Sequence, residues 1–385
     1  MHILFISSGY PSASNPVSAV FVRDQAKALQ NSGHQLGILS MRQISVINLF
    51  KRNQKTQKTI INNQGINLCQ HFGYAWFPRL GKMNTLLWQF RAWLLYQRYV
   101  AIFGSPDMVH AHSAINDASL ARKIKQRYQI PYVLTEHSSA HGRNLVLSWQ
   151  KKMVMDALQQ ADARIFVSKA LAKTLEKIYS SSIHPWSYIP NIIENNFFQP
   201  LTQREITPTF IFLSIALLTV NKGYVDLIHA FSKAFKGQPI ELRIGGDGDE
   251  KQSLIKLSTD LGINKQIKFL GQLTRTDVKQ QMDDCDAFVL ASFYETFGLV
   301  YAEAMARGKP VIATRCGGPE SFVNKQNGLL IKLQDQKSLA DGMVWMVKHI
   351  DQYNPKKIQQ TMLDQFSSDA VVNKLNRVYT NISTC

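Results

Sequence analysis

Glu295 and Glu303 stand eight positions apart in YETFGLVYAEAMARGKPVIATRCGG, residues 294–318, whose other members are mostly small or apolar. Residues 299–306 favour helix, Arg307-Gly308 reads as its end, and Lys309-Pro310 as the break before a short buried strand at 311–313. Thr296 is the N-cap this reading selects, with Glu295 in the loop before the helix and Glu303 about two turns into it. Acids so spaced do not easily share a proton or a metal, because eight helical residues rise about 12 Å. They can grip two hydroxylated ends of one long ligand. The helix N-terminus between them offers free N–H groups and a positive dipole end to a phosphate, and Gly298 lets a phosphate approach the backbone. A diphosphate with a sugar at each end fits this arrangement. Two surface glutamates on an amphipathic helix fit the spacing equally well.

Other reactive residues sit at the ends of strand-like runs. In PDMVHAH, His110 and His112 are two apart and share one face of a strand, either as satisfied core groups or as a catalyst. LTEHSSAHGR offers Glu136, His137, His141 and Arg143. LLTVNKG places Lys222 in a turn before a helix, which suits a phosphate-binding ammonium or a plain surface lysine. IGGDGDE is a glycine-rich turn (Gly245, Gly246, Gly248) after a strand. Asp283, Asp284 and Asp286 contain an Asp-x-Asp of the kind that binds Mn²⁺ or Mg²⁺ elsewhere, but they read better as a cluster at a helix end.

Two sets of alternating strands and helices must position these groups. HILFIS, HQLGILS, DMVHAH, PYVLTEH and ARIFVS are strands of the first half, with helices between them. Prolines and asparagines interrupt the rhythm at 190–206, an interdomain linker. FIFLSIAL, IELRIGG, IKFLGQ, AFVLAS, PVIATR and GLLIK restart it. The expected fold is α/β, with two doubly wound Rossmann-like domains facing a cleft and ligands at the carboxyl ends of the strands. The domains are 1–189 and 207–365, followed by a C-terminal helix at 366–385 able to pack back on the first.

The 385 residues carry a net charge of +17, spread unevenly. Residues 1–189 hold 22 Lys/Arg against 7 Asp/Glu, whereas residues 190–385 hold 22 against 20. Asp24 and Asp107 bound a stretch without any acid. The first half therefore suits an anionic partner, nucleic acid or an anionic membrane surface, unless its charge is only a solvated face. Segment 82–103 interleaves Trp88, Phe90, Trp93, Tyr96 and Tyr99 with Arg91 and Arg98. It reads as an interfacial helix inserting the rings around Trp88 and Trp93 into lipid, or as a core helix with snorkelling arginines. The start of the chain lacks the pattern of a signal peptide, and no apolar run is long enough to span a bilayer. Cys69, Cys285, Cys316 and Cys385 are scattered, which suits a reducing cytoplasm and argues against zinc.

Taken together, FVLASFYETFGLVYAEAMARGKPVIATRCGGPESFV resembles the signature of glycosyltransferase family 4, the group 1 retaining enzymes of GT-B fold. HILFISSGYP, VHAH, VSKAL, IPNIIENNFFQP, NKG, IGGDG, FLGQL and FSSDAVVNKLNRVY extend the likeness over almost the whole chain, in order. The resemblance implies that Glu295 binds the transferred sugar, Glu303 holds the ribose, and the amides around Phe297, Gly298 and Leu299 bind the diphosphate with Lys222. It implies that His112 lies near the reacting carbon, and that Gly245, Gly246 and Gly248 border the base. It makes 1–189 the acceptor-side domain and 207–365 the nucleotide-sugar-binding domain, with Ser18, Ala19, His137 and Arg143 as acceptor or cleft candidates. The chain departs from the family at Leu217, where many relatives have arginine, and at Ser18-Ala19, where many have Gly-Gly. The expected activity is transfer from an NDP-sugar to a glycan or lipid-linked acceptor in envelope polysaccharide synthesis, with retention, no metal and no cofactor. The expected location is the cytoplasm, peripheral on the inner membrane face. An NDP-sugar 2-epimerase-like isomerase and a nucleic-acid-binding protein are the alternatives.

Overall fold

The computed structural model describes residues 1–12, 18–45, 57–63, 65–75, 80–179, 185–201 and 209–383. Part of the expected linker, 202–206, lies outside them. The chain divides into two compact units. Met1–Val167, Leu171–Ile192 and Val371–Cys385 make the first, and Ser168–Ala170 with Ile193–Ala370 make the second.

In the first unit the chain runs β1 (His2–Ser7), α1 (Val20–Asn31), β2 (Gln35–Ser45), β3 (Gln57–Asn63), β4 (Ile66–Ala75), α2 (Gly81–Phe103), β5 (Met108–Ala111), α3 (Asp117–Tyr128), β6 (Tyr132–Glu136), α4 (Ser148–Gln160), β7 (Ala163–Phe166), α5 (Lys169–Tyr179) and β8 (Ser187–Tyr188). The sheet order is β3-β4-β2-β1-β5-β6-β7-β8. It is parallel except for the edge pair β3–β4, which is antiparallel. Ile3, Leu4, Phe5 and Ile6 are fully buried. A continuous apolar run of this kind is what a strand covered on both faces requires, and each such side chain contributes about 1.5–3 kcal/mol.

Helix α2 corrects one sequence expectation. Trp88 is only 2% exposed and donates its indole N–H to the Met41 carbonyl at 2.9 Å. Trp93 stacks on Tyr128 with centroids 6.1 Å apart, and Lys123 lies over its ring at 4.4 Å. Neither ring is free to enter lipid. The large apolar residues of α2 that face outward are Met83, Leu86, Phe90, Leu94 and Ile102.

The second unit contains β9 (Phe210–Ile215), α6 (Tyr224–Phe235), β10 (Ile240–Gly245), α7 (Lys251–Asp260), β11 (Ile267–Gly271), α8 (Arg275–Asp284), β12 (Ala287–Leu290), α9 (Leu299–Ala306), β13 (Val311–Thr314), β14 (Gly328–Ile331), α10 (Gln336–Lys348) and α11 (Pro355–Phe366). Its sheet is wholly parallel, in the order β11-β10-β9-β12-β13-β14. Arg307, at the end of α9, is buried. It donates to Asp283 at 2.6 Å and to the carbonyls of Phe197, Gln199 and Pro200. Asp286 accepts the Ile211 amide at 2.7 Å, and Asp284 accepts from Gln280 at 3.0 Å. This aspartate cluster is therefore committed to structure.

The last helix, α12 (Ser368–Ser383), returns to the first unit. Its Val371, Val372, Leu375 and Tyr379 join the core formed by β1, α1 and β2.

Each sheet has one point where strand order reverses, between β9 and β12 in the second unit and between β1 and β5 in the first. Loops leaving the carboxyl ends of such strand pairs diverge and leave a crevice.

Candidate functional site

At the switch point of the second unit, the loop after β9 carries Lys222 and the loop after β12 carries Glu295. The Phe293 amide donates to the Asn221 carbonyl at 2.8 Å and ties the two loops together. Lys222 Nζ lies 2.6 Å from Glu295 Oε1, and Ser292 Oγ donates to the same oxygen at 2.8 Å. The Glu295 backbone is fixed on both sides. Its amide donates to Cys316 at 2.9 Å, and its carbonyl accepts from Gly318 at 2.8 Å.

Helix α9 begins at Gly298, not at Thr296. Gly298 is the N-cap, with a left-handed φ of 86°, and no side chain caps the helix. A Cβ there would lie 2.9 Å from Tyr301 and 3.0 Å from Pro319, so glycine is required both by conformation and by space. The Tyr301 amide returns to the Gly298 carbonyl at 3.1 Å, and a helix start leaves the amides ahead of it without an intrahelical acceptor. Phe297 offers only its backbone, because its ring packs against Phe322 and Phe366 with centroids 5.4 and 5.6 Å away. Glu303 is the fifth residue of α9, closer to the helix start than the Thr296 cap implied.

Glu303 is 3% exposed, and its Oε1 accepts from Arg275 Nη1 at 2.6 Å. Arg275 opens α8, also reaches Glu194 at 3.3 Å, and lays its guanidinium over Phe197 at 4.7 Å. Sequence reasoning missed Arg275. Its only signal was a cation at the first turn after the FLGQL strand. Gly245, Gly246 and Gly248 form the β10–α7 turn. A Cβ at Gly245 would lie 2.6 Å from Leu273, and side chains at Gly246 and Gly248 would collide with the carbonyls of Ala216 and Leu218. The turn therefore packs backbone to backbone against the loop after β9. Leu217, where relatives have arginine, is 64% exposed.

In the first unit the switch point gathers imidazoles. His110 is buried between Tyr379 Oη and Thr135 Oγ1, both at 2.7 Å, and burial drives its pKa down to about 3. His112 follows β5 and stacks on His110 and His137, with centroids 4.5 and 5.4 Å away. His112 Nδ1 lies 3.2 Å from His137 Nε2. Its Nε2 is buried and has no hydrogen-bonding partner among the described residues. Burial holds His112 well below the ordinary imidazole value. It lowers His137 to about 4, against the pull of the neighbouring Glu136 charge. His112 is thus a neutral imidazole with one nitrogen held and the other buried without a partner among the described residues.

Glu136 organises this group. It is fully buried and accepts the amides of Ala114, His137 and Ser138 at 2.8, 2.9 and 2.7 Å. Burial pushes its carboxyl up, but these bonds and His141, 3.4 Å away, outweigh that and hold it low. Asp117 is buried too and accepts from Ser8. Burial pushes its pKa up to about 7. Ser18 and Ala19 face Gly9, where an added Cβ would lie 3.1 Å from Ala19 and 3.5 Å from Ser18. Ala19 sits at φ 47°, a left-handed conformation that a glycine takes without strain. Asn15, Pro16 and Val17 of this loop lie outside the described residues. Arg143 is exposed and does not join the histidines.

Among the described residues, no group of three or more His, Cys, Asp or Glu is arranged to hold a metal ion.

Comparison with known proteins matches both units. The family described as Glycosyl transferases group 1 matches residues 200–360, and Glycosyltransferase Family 4 matches residues 18–197. The putative teichuronic acid biosynthesis glycosyltransferase TuaC of Bacillus subtilis is 25% identical over 410 aligned positions, covering 100% of this chain and 99% of that one. Sucrose-phosphate synthase of Thermosynechococcus elongatus shares the fold with a TM-score of 0.78 at 19% identity, over 99% and 98% of the two chains. HepE of Anabaena, solved in complex with UDP and glucose, matches with a TM-score of 0.73 at 18% identity, over 99% and 100%. The two solved structures are of GT-B glycosyltransferases.

Proposed function

Because the chain belongs to the group 1 glycosyltransferases, we propose that it moves a sugar from a nucleoside-diphosphate donor to a hydroxyl of a glycan or lipid-linked acceptor, with retention of configuration. One observation carries the donor part. Lys222, Glu295 and the N-terminus of α9 belong to the loops and helix that follow the strands at the switch point of one sheet. A diphosphate placed there meets a positive dipole end, backbone donors and an ammonium, so the charge that builds on the leaving group is stabilised without a metal. Phosphate oxygens replace Glu295 as the partner of Lys222, and Glu295 turns to the hydroxyls of the transferred sugar. Glu303 accepts from the ribose hydroxyls, with Arg275 fixing its carboxylate. Gly245, Gly246 and Gly248 leave room beside the base. His112 presents its Nε2 to the donor sugar near the reacting carbon, and remains neutral at the working pH. The leaving phosphate takes the proton of the acceptor hydroxyl on the same face of the sugar.

The acceptor part rests on charge and relatives. TuaC carries a teichuronic acid assignment, and the first 189 residues of this chain are strongly basic. Both favour an anionic or lipid-linked acceptor in envelope glycan synthesis, met at the inner face of the cytoplasmic membrane. Ser18, Ala19, His137 and Arg143 are the residues offered to it. Incubation with a panel of UDP-, GDP- and ADP-sugars tests the reading. One donor should raise the melting temperature and be slowly hydrolysed to free nucleoside diphosphate. If none is bound or cleaved, the reading fails, and an epimerised donor would point to an isomerase.

A further inference from the structure

We propose that the outer face of α2, together with the loop before α4, is a docking surface for an anionic lipid bilayer. The proposal deepens the membrane part of the reading above and does not depend on its sugar-transfer chemistry. Helix α2 is apolar on both sides, but only one side is covered. Trp88, Ala92, Leu95, Tyr96 and Tyr99 are buried against the sheet. Met83, Leu86, Phe90 and Leu94, spaced by three and four, form a stripe on the opposite side and are 45, 60, 61 and 48% exposed. Leu80 extends the stripe at 56% exposure. Leu147, at 53%, joins it from the next loop: a Cβ at Gly81 would lie 3.9 Å from Leu147 and 3.3 Å from Trp149. Scattered exposed leucines are ordinary, but a contiguous apolar stripe along one helix marks contact with another apolar phase.

Charge selects the occupant. Residues 25–106 hold ten Lys/Arg and no Asp or Glu. Lys82 and Arg98 are exposed near the two ends of the stripe, and Arg143, Lys151 and Lys152 are exposed around Leu147. A second copy of this chain would bring the same positive charge to the contact and be repelled. An anionic bilayer satisfies both features, taking the apolar side chains below its headgroups and the cations among its phosphates. No described helix is long and apolar enough to cross a membrane, so α2 would lie along the interface.

The full chain is floated with vesicles of phosphatidylcholine alone or with one third phosphatidylglycerol, at low and high salt. Wild type should float with the anionic vesicles at low salt and stay behind with the neutral ones. Leu86→Ser with Phe90→Ser should lower the partition coefficient by about tenfold or more. Lys82→Gln with Arg98→Gln should lower it by about fivefold per cation. Both variants change exposed side chains, and their melting temperatures and donor-induced shifts should match wild type, so lost flotation cannot be assigned to unfolding. Equal flotation with neutral vesicles, or flotation unchanged by the serine pair, overturns the proposal. So does a wild type that ignores vesicles but forms a dimer which the serine pair dissolves. A failed donor assay leaves the flotation result standing, and a failed flotation leaves the donor assay standing.

Discussion

Lys222 Nζ lies 2.6 Å from Glu295 Oε1 while Ser292 holds the same oxygen at 2.8 Å. Glu295 is thus the resting partner of the ammonium that the diphosphate needs. Glu295→Ala should lower turnover by at least about tenfold, the scale of a lost hydrogen bond to a charged group. It should leave the affinity for the free nucleoside diphosphate intact or raise it, since Lys222 is released. Calorimetric titration with the diphosphate decides the matter. A tenfold loss of affinity would remove Glu295 from the sugar side.

Glu303 should behave in the opposite way. Its carboxylate is held 2.6 Å from Arg275. Glu303→Ala should weaken nucleoside diphosphate binding by about tenfold or more through the lost ribose contacts. Arg275→Ala should weaken it less, and Arg275→Lys should restore part of the loss. Equal losses for Glu295→Ala and Glu303→Ala in the same titration would refute the division of roles.

Sugar transfer should survive EDTA. The acids of the Asp-x-Asp stretch are taken by Gln280 and the Ile211 amide, and the proposed diphosphate site uses an ammonium and backbone amides. Complete loss of activity that Mn²⁺ restores would require a cation site that this assignment does not contain.

Asp117 gives a pH signature of defined sign. Burial lifts its folded value to about 7 from 3.8, so across that window the folded chain holds a proton that the unfolded chain releases. Its contribution is full below about 4 and is lost as pH rises to about 7. Asp117→Asn cannot ionise, so its melting temperature should gain on wild type as pH rises from about 4 to about 7 and level off above that. His110 and His137 run the other way. Their folded values, about 3 and about 4, are depressed, so stability is lost as pH falls below the ordinary imidazole range. Both occur in each protein and cancel from the difference. A difference flat with pH would show that Asp117 ionises freely.

What the sequence revealed depended on how local the cause was. The span of α9 follows from a run of helix formers ending in Arg-Gly, and the observed helix is Leu299–Ala306. Its cap was misread, because Thr296 is a good N-cap by type. Pairing of the Glu295 backbone with the Cys316–Gly318 loop instead leaves Gly298 to turn the chain. Arg275 was invisible because its partner Glu303 is 28 positions away and meets it only through the sheet order. The same holds for the imidazole stack, which exists because β6 is paired beside β5. Helix α2 shows a different limit. Its apolar residues occur on every side, and no periodicity says which side the sheet will cover.

The placement of α12 imposes an order on biosynthesis. Val371, Val372, Leu375 and Tyr379 complete the core of the first unit, and Tyr379 hydroxyl meets His110 at 2.7 Å. The ribosome therefore finishes the entire second unit before the first receives the apolar side chains of α12. Domains generally fold as they emerge, N-terminal first, but here the core of the first unit is completed, and His110 meets its tyrosine partner, only once α12 has been made.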